Sequence, residues 1–229
     1  MCAVIGAYIE EPSAFDLDTL TKVFYESSIR GLHATGVSWV KQDRIHTYIS
    51  ANPAGKFFEA YDLKNTINED GNLYLIGHCR YSTSDLNYNQ PLWDGSFAIV
   101  HNGVVSQEMP ENWEKIYGYK CETRNDSELI LHTLKAKKSP LVEFADASMA
   151  VVELYKEKKL RFYRNGKRPI YFTSLTNGGI ITSTKDIAAR ANLSNSIEID
   201  MNSYVTIGKG IFKKEFVHID NAKDLQHVR

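Results

Sequence analysis

Short apolar or alternating segments dominate the chain, and they predict many strands and few helices. An early segment, residues 2–9 (CAVIGAYI), is small, apolar and β-branched, as is typical of a buried strand. The region after residue 147 is almost entirely strand-like, with polar turns between its runs. The predicted strands of the first half span residues 2–9, 35–40, 44–50, 73–79 and 96–101.

Apolar residues at helical spacing interrupt this pattern in a few places. Val23 and Phe24 lie on the apolar face of a first predicted helix, with Asp16 or Asp18 as its N-cap and an end near Gly31. Further helices are predicted at residues 53–61, 126–137 and 184–191.

The order of these elements predicts an α+β fold. Helices that stand between blocks of strands favour two stacked, mostly antiparallel sheets with helices on the outer faces, a four-layer α/β/β/α sandwich. Because no repeat, low-complexity run or linker divides the sequence, we expect residues 1–229 to form a single domain.

Composition excludes several classes of function. The 229 residues include 27 basic and 28 acidic side chains, so no net charge attracts nucleic acid or an anionic membrane. No apolar run approaches the ~18 residues that a membrane span needs. The N-terminus lacks the basic segment of a signal peptide, which predicts a cytoplasmic protein.

The three cysteines, Cys2, Cys79 and Cys121, are odd in number and widely spaced. This spacing favours neither a disulfide framework nor a structural zinc site, so we expect a reducing compartment and no metal. By strand alternation, Cys79 and Arg80 should face opposite sides of their strand, with Cys79 buried and inert.

Polar clusters occur where predicted elements end. They are RGLHATG (30–36), GHCRYSTSD (77–85), NQP (89–91), HNG (101–103) and NDSE (125–128). Loops that meet at one end of a rigid scaffold commonly carry function, so these clusters are candidates for a shared site. Each also has a purely structural interpretation: Asn-Gly is a common turn, and Asp126 is a suitable helix N-cap.

Cys2 is the candidate nucleophile, provided that Met1 is removed. Removal would leave Cys2 with a thiol and a free α-amine, which titrates near ~7.7–8.0 and can therefore accept the thiol proton at neutral pH. If Met1 is retained, the amine is part of a peptide bond and this base does not exist. Alone, Cys2 is better explained as a small buried side chain at the start of a strand.

With these motifs in this order, the sequence resembles the glutaminase domain of class II glutamine amidotransferases, of the amidophosphoribosyltransferase type. The resemblance rests on MC at the start, the five polar clusters above, and RNGKRP (164–169) and ITSTKD (181–186) later in the chain. It implies an N-terminal-nucleophile hydrolase fold and a reaction without cofactor or metal. It assigns RNGKRP only a structural turn.

The resemblance also implies roles for individual residues. Cys2 would attack the γ-amide carbon of glutamine, while the Asn102 side chain and the Gly103 backbone N–H would form the oxyanion hole. No histidine is required for attack in this family, so His33, His78 and His101 are assigned packing roles.

Recognition of the amino-acid head group is implied for another set of residues. Arg80 would bind the α-carboxylate through its planar guanidinium, Thr83 would add a hydroxyl contact, and Asp126 would pair with the α-ammonium. Arg30 and Gly31 would belong to a loop that closes over glutamine. The residues after them (LHAT) depart from the family pattern.

The leading functional hypothesis is therefore an enzyme that hydrolyses glutamine to glutamate and ammonia through a Cys2 thioester. Since no motif of a second domain follows, we expect the ammonia to pass to a separate synthetase partner. Two alternatives remain open: hydrolysis of a γ-glutamyl amide of a larger metabolite, and a catalytically silent glutamine-binding module.

Overall fold

Strands make up most of the fold. The computed structural model describes residues 1–82 and 88–219. Within them the strands are β1 (Ala3–Ile9), β2 (Ala34–Lys41), β3 (Arg44–Ser50), β4 (Leu73–Arg80), β5 (Leu92–Trp93), β6 (Phe97–Val104), β7 (Ser148–Tyr155), β8 (Lys159–Arg164), β9 (Tyr171–Leu175), β10 (Gly178–Thr182), β11 (Ile197–Glu198), β12 (Ser203–Gly208) and β13 (Ile211–Phe216).

The helices are short apart from the first. They are α1 (Ala14–Ser27), α2 (Ala54–Ala60), α3 (Trp113–Tyr117), α4 (Ser127–Lys135), α5 (Pro140–Glu143) and α6 (Lys185–Arg190), with 3-10 turns at Leu63–Thr66 and Pro110–Asn112. Within residues 1–82 and 88–219, none of these helices has the length and apolar composition needed to cross a bilayer.

The strands form two antiparallel sheets. The first has seven strands in the order β11-β9-β10-β1-β4-β2-β3, and the second has six in the order β13-β12-β8-β7-β6-β5. β1 lies near the middle of the first sheet between β4 and β10, so the chain begins beside two buried strands. β6 pairs with β7 in the second sheet.

Alternation along β1 shows how the layers stack. Ala3, Ile5, Ala7 and Ile9 pack with the apolar face of α1, whereas Val4 and Tyr8 on the other face join the core between the sheets. That inner core also receives alternate residues of β6 and β7. The outer face of the second sheet packs against α4 and α5. The predicted four-layer sandwich is therefore confirmed.

Two predictions about element ends are wrong. Helix α1 is capped by Ser13, whose hydroxyl accepts the backbone N–H of Asp16 while the Asp16 carboxylate accepts the N–H of Ser13, so neither Asp16 nor Asp18 is the N-cap. The strand predicted to end at residue 101 continues to Val104, so Asn102 and Gly103 pair with β7 and are not a turn. Short elements such as β5, α3 and α5 lack enough residues for a periodic signal.

Candidate active site

Strand register brings the N-terminal cysteine next to an arginine. β1 and β4 are antiparallel with Ala3 opposite Cys79, so one further step sets Cys2 opposite Arg80. Cys2 is in phase with Val4, and Arg80 is in phase with Ile76, both of which face the core between the sheets. Cys2 and Arg80 therefore lie on the inner face at one end of the sandwich.

A cavity of about 300 Å³ opens at this end. Its walls include Cys2, Arg80, Gly103 and Asp126, four of the residues that the sequence analysis singled out. They come from β1, β4, β6 and the start of α4, elements far apart in sequence. The fold thus assembles a thiol, a cation, an anion and a backbone N–H group around one space.

Cys2 itself is half-buried, and its thiol lies 3.9 Å from the carbonyl oxygen of Tyr81. The start of β1 is held by Ser183, whose hydroxyl accepts the backbone N–H of Val4 at 2.8 Å. Ser183 directly follows β10 within the ITSTKD motif. The motif therefore fixes the strand that carries Cys2.

The HNG motif presents two features of an oxyanion site. Asn102 is buried and in phase with the inner-face residues Ala98 and Val100, and its Nδ2 has no hydrogen-bond partner within the described part of the chain. Gly103 has a φ of 154°, and a Cβ there would lie 1.8 Å from the carbonyl oxygen of Ser148. Only glycine fits this backbone. An unpaired buried donor is costly, which makes Asn102 a candidate for binding a ligand oxygen.

The DSE motif ties β6 and the residues just after it to the start of α4. Asp126 Oδ2 accepts the backbone N–H groups of Val105 at 2.6 Å and Ser106 at 3.3 Å, just after β6. The Ser127 hydroxyl contacts Nδ1 of His101 at 2.9 Å. The Asp126 side chain does not cap its own helix, so the N-cap interpretation of its carboxylate is wrong.

Arg80 is oriented by the segment that follows residue 87. Its Nη1 donates to the carbonyl oxygen of Tyr88 and to Oδ1 of Asn89, both at 2.7 Å. Asn125, next to Asp126, donates from Nδ2 to the same Tyr88 carbonyl at 3.1 Å. This shared carbonyl couples the position of the cation to that of the anion. Thr83 lies outside the described residues.

Two buried histidines support the site as neutral side chains. Burial lowers the pKa of His78 to about 3, with repulsion from the Arg80 guanidinium adding to the effect. Burial likewise lowers the pKa of His101, whose backbone N–H donates to Oε1 of Gln90 at 2.6 Å. Gln90, from the NQP motif, therefore anchors β6 just before Asn102 and Gly103.

Arg30 and Gly31 lie in the turn after α1, against the strands that carry Cys2 and Arg80. Arg30 Nε donates to the carbonyl oxygen of Cys2 at 3.2 Å. Gly31 packs so closely that a Cβ would lie 2.2 Å from the Cys79 carbonyl oxygen. Burial, and then the nearby Arg168, lower the pKa of Arg30. This turn is thus closely packed against the site.

One cluster outside the cavity has metal-ligating side chains. Atoms of Cys121, Glu128 and His132 lie within 4.8 Å of one another. The Glu128 carboxylate, however, already accepts the backbone N–H groups of Glu122 and Thr123 at 2.7 Å each. Burial also raises the pKa of the Cys121 thiol to about 12. These groups are better explained as holding the segment before α4 than as metal ligands.

Some residues of the site have no counterpart among the sequence-based assignments. Gln90, Ser127 and Ser183 position the site through hydrogen bonds, and Arg168 lies 3.8 Å from the sulfur of Met1. Each belongs to a motif that the sequence analysis noted. Their partners lie 11 to 179 residues away in sequence, so no local pattern could have identified the contacts.

Chemically, the cavity can hold a small zwitterion next to a nucleophile. A guanidinium and a carboxylate match an α-carboxylate and an α-ammonium, and the thiol and unpaired amide donor suit attack on a carbonyl group.

Comparison with known proteins agrees with this chemistry. Residues 62–222 match the sequence profile of the glutamine amidotransferase domain family. A glutamine–fructose-6-phosphate aminotransferase of Acinetobacter baylyi is 26% identical over 157 residues, which cover 66% of this chain and 24% of that protein. Its counterpart in Staphylococcus epidermidis is 27% identical over 159 residues, covering 67% of this chain and 25% of that protein.

Solved structures show the same fold. The glutamine phosphoribosylpyrophosphate amidotransferase of B. subtilis superimposes with a TM-score of 0.72 at 16% identity, over 94% of this chain and 49% of that one. A class-II glutamine aminotransferase domain protein of Silicibacter pomeroyi gives a TM-score of 0.57 at 15% identity, over 94% of this chain and 99% of that one. The present chain spans about a quarter of the length of the curated relatives that it matches.

Proposed function

The chain belongs to the glutamine amidotransferase domain family, and on this premise we propose that it hydrolyses L-glutamine to L-glutamate and ammonia through a γ-glutamyl thioester on Cys2. Its relatives are class II glutamine amidotransferases, enzymes of the N-terminal-cysteine hydrolase type. The observation that carries the proposal is the single cavity shared by Cys2, Arg80, Gly103 and Asp126.

The first step is attack on the γ-carboxamide carbon by Cys2 Sγ. After removal of Met1, the α-amine of Cys2 takes the thiol proton, directly or through a water. The C–S bond forms, and the carbonyl electrons move to the oxygen. Asn102 Nδ2 and the Gly103 N–H donate to that oxyanion, a role supported by the unpaired state of the Asn102 amide.

Collapse of the tetrahedral intermediate completes acylation. The oxyanion electrons re-form the carbonyl, the C–N bond breaks, and the α-ammonium of Cys2 returns its proton so that ammonia leaves. In the second half-reaction the same amine accepts a proton from water as the water attacks the thioester. Release of the thiol then yields glutamate and regenerates Cys2.

Arg80 and Asp126 select the substrate by its amino-acid head group. Arg80 binds the α-carboxylate, and Thr83 adds a hydroxyl contact. The oxygen Oδ1 of Asp126 binds the α-ammonium, while Oδ2 keeps its bonds to Val105 and Ser106. One cation and one anion therefore recognise the two charges of the zwitterionic head group. A simple carboxamide without an α-amino group should bind poorly.

The turn at Arg30 and Gly31 borders the bound glutamine. Because Gly31 packs against the Cys79 backbone, closure over the substrate would involve the exposed Leu32 more than Gly31. Arg30, through its bond to the Cys2 carbonyl, positions the nucleophile.

The test is covalent trapping followed by mass spectrometry. Protein with a verified Cys2 N-terminus is incubated with diazo-oxonorleucine, a glutamine analogue, and the modified peptide is mapped. We expect one adduct on Cys2, unchanged in Cys79→Ser and Cys121→Ser and lost in Cys2→Ala. An adduct that persists in Cys2→Ala, or a natively expressed protein that keeps Met1, would refute the mechanism.

A second candidate substrate is a γ-glutamyl amide with a larger amine. A cavity of about 460 Å³ adjoins the first and shares Ser106 and Glu108 with it, which leaves room for a substituent on the amide nitrogen. Rates with glutamine, γ-glutamyl methylamide and γ-glutamyl dipeptides separate the two. Faster turnover of the larger amides would favour this candidate.

The acceptor of the ammonia is proposed from the relatives alone. They are about four times longer than the matched region, and their names describe aminotransferases. We propose that ammonia passes from Cys2 to an acceptor domain or subunit. A cytoplasmic location is also proposed, supported by the free state of the three cysteines.

A further inference from the structure

Two arginines from distant parts of the chain converge on its first residue. Nη2 of Arg30 lies 3.6 Å from the sulfur of Met1, and Nη1 of Arg168 lies 3.8 Å from the same atom. Arg30 also binds the carbonyl oxygen of Cys2. The side chain of residue 1, the residue whose carbonyl carbon is bonded to the nitrogen of Cys2, is therefore held between two guanidinium groups.

Arg168 is held in place by the turn that contains it. Asn165 Oδ1 accepts the N–H of Met149 at 3.1 Å, and its amide donates to the carbonyl of Ala147, so the turn is fastened to the start of β7. Gly166 has a φ of 90°, which lets the chain reverse two residues before Arg168. The Nε of Arg168 is buried and has no partner within the described residues.

We propose that Arg168, together with Arg30, keeps the α-amine of mature Cys2 uncharged at neutral pH, so that it can accept the thiol proton. The inference rests on the proposed function, because the amine is free only after Met1 has been removed. When Met1 leaves, its place between the two arginines opens next to the new amine. A third positive charge there is repelled by the two guanidinium groups, which favours the uncharged amine.

Other charged groups face this amine from the cavity or lie beside the two arginines. The remaining titratable groups that face the site are Arg80 and His78 from β4, His101 from β6, Glu108 from the loop after it, and Arg124 and Asp126 before α4. The two histidines are neutral because burial lowers their pKa values, and Arg124 is paired with Glu111. Within that cavity, Arg80, Asp126 and Glu108 sum to one negative charge. Outside it, Glu26 and Asp186 lie beside Arg30, and Asp146 and Lys167 lie beside Arg168.

Arg168 is therefore a positioning residue that acts through the Cys2 amine and does not touch the substrate. Its motif was expected to form only a structural turn, and a purely structural Arg168 would affect stability and not the protonation of Cys2. The titration of the N-terminal amine distinguishes the two roles.

The experiment measures that titration directly. Mature wild-type protein, R168Q and R168K are labelled with a trace of acetic anhydride at a series of pH values, and acetylation of the N-terminal peptide is quantified by mass spectrometry. We expect the midpoint to rise by about one pH unit in R168Q, the size of shift that a single nearby charge produces, and to return towards wild type in R168K. R168M, which keeps the aliphatic stem, replaces R168Q if the latter does not fold.

The matched control is K167Q. Lys167 is the neighbouring cation, and its ammonium contacts the carbonyl of Asp146 and not residue 1. We expect K167Q to leave the midpoint within about 0.2 pH units of wild type, which is the precision of the method. A midpoint unchanged in both R168Q and R168M, or moved equally by K167Q, would overturn the inference.

The pH dependence of glutamate release is the second readout. In R168Q the rise of kcat/KM with pH should shift upward by the same amount as the amine midpoint, so activity at pH 7 falls roughly fivefold to tenfold and recovers near pH 9. If the amine midpoint shifts but wild type releases no glutamate, the proposed function fails while the effect of Arg168 on the amine stands.

Discussion

Cys2 and Cys79 lie on neighbouring strands but in contrasting surroundings. Cys79 is fully buried on the helix side of β4, its thiol lies 3.8 Å from the carbonyl oxygen of Phe24, and burial raises its pKa to about 12. Cys2 lies just before β1, on the inner face, half-buried and open to the cavity with Arg80. The predicted opposite orientation of Cys79 and Arg80 is confirmed.

One residue of register therefore separates the thiol proposed as the nucleophile from a buried one. Ala3 and Cys79 are paired across β1 and β4 and face α1, while Cys2 and Arg80 are one step further along and face the other sheet. Since side chains alternate between faces, a slip of one residue would exchange their environments. The face of the strand and the position at its end, not the residue type, decide which thiol lines the cavity.

The largest effect that tests this contrast is loss of the nucleophile. Cys2→Ala should lower kcat for glutamate release by at least ~10⁴-fold, because no other group can form the thioester. Cys79→Ala should keep activity within about twofold and lower the free energy of unfolding by roughly 1 kcal/mol through lost packing. Steady-state kinetics and urea unfolding measure both; comparable loss of kcat in the two variants would contradict the assignment.

The second largest expected effect is a loss of kcat when the side-chain amide of Asn102, on the inner face, is removed. Asn102→Ala should lower kcat roughly 10²–10³-fold, since one oxyanion donor is removed. The Nδ2 of Asn102 has no hydrogen-bond partner in the described residues. Removing this nitrogen therefore leaves no acceptor among those residues without its donor. Calorimetry in a Cys2→Ala background should show glutamine binding unchanged within about twofold. Weakened binding with intact kcat would assign Asn102 to substrate recognition instead.

Substitution of Arg80, which lies on the inner face next to Cys79 in sequence, tests whether this face binds the substrate carboxylate. Arg80→Lys should raise KM for glutamine about 10- to 100-fold with a smaller change in kcat, because an ammonium cannot reproduce a bidentate guanidinium contact. Arg124→Lys is the matched control, since Arg124 also lines the cavity but pairs with Glu111 at 2.6 Å. Equal effects of the two substitutions on KM would argue against a specific carboxylate site at Arg80.

The smallest effect is a pH dependence of stability due to His78. Its pKa in the folded protein is about 3, below the ~6.5 of an unfolded chain, so below pH 6.5 the unfolded state binds a proton that the native state excludes. The free energy of unfolding should therefore fall as the pH decreases from 6.5 towards 3. Between pH 7.5 and 5.5, the free energy of unfolding should fall by about 1.4 kcal/mol more in wild type than in His78→Gln.

Urea unfolding at the two pH values measures this difference. The exposed His218 supplies the control, because His218→Gln should leave the wild-type pH dependence unchanged. A His78→Gln variant that loses as much stability as wild type on acidification would show that His78 is protonated in the folded state.

Much of the architecture could be predicted because it depends on short-range patterns. The run of small, apolar and β-branched residues at 2–9 predicts a buried strand, and strand alternation assigns Cys79 and Arg80 to opposite sides. The N-cap of α1 was assigned wrongly because Ser13 and Asp16 form a reciprocal pair, in which the acidic residue is the third helical position. Asn102 and Gly103 were open to a turn interpretation because Asn-Gly is a turn signal in isolation, whereas pairing with β7 overrides it.

By itself, the amino-acid sequence determined which side chains alternate between the two faces of each strand and which chemical groups stand at the strand ends. Only the tertiary structure decided which ends meet: that Ser183 holds the start of β1, that Asp126 binds the segment after β6, and that Arg30 and Arg168 reach residue 1. The reason is physical, since periodicity is a local property of the backbone, whereas these contacts depend on how two sheets pack and which loops that packing brings together.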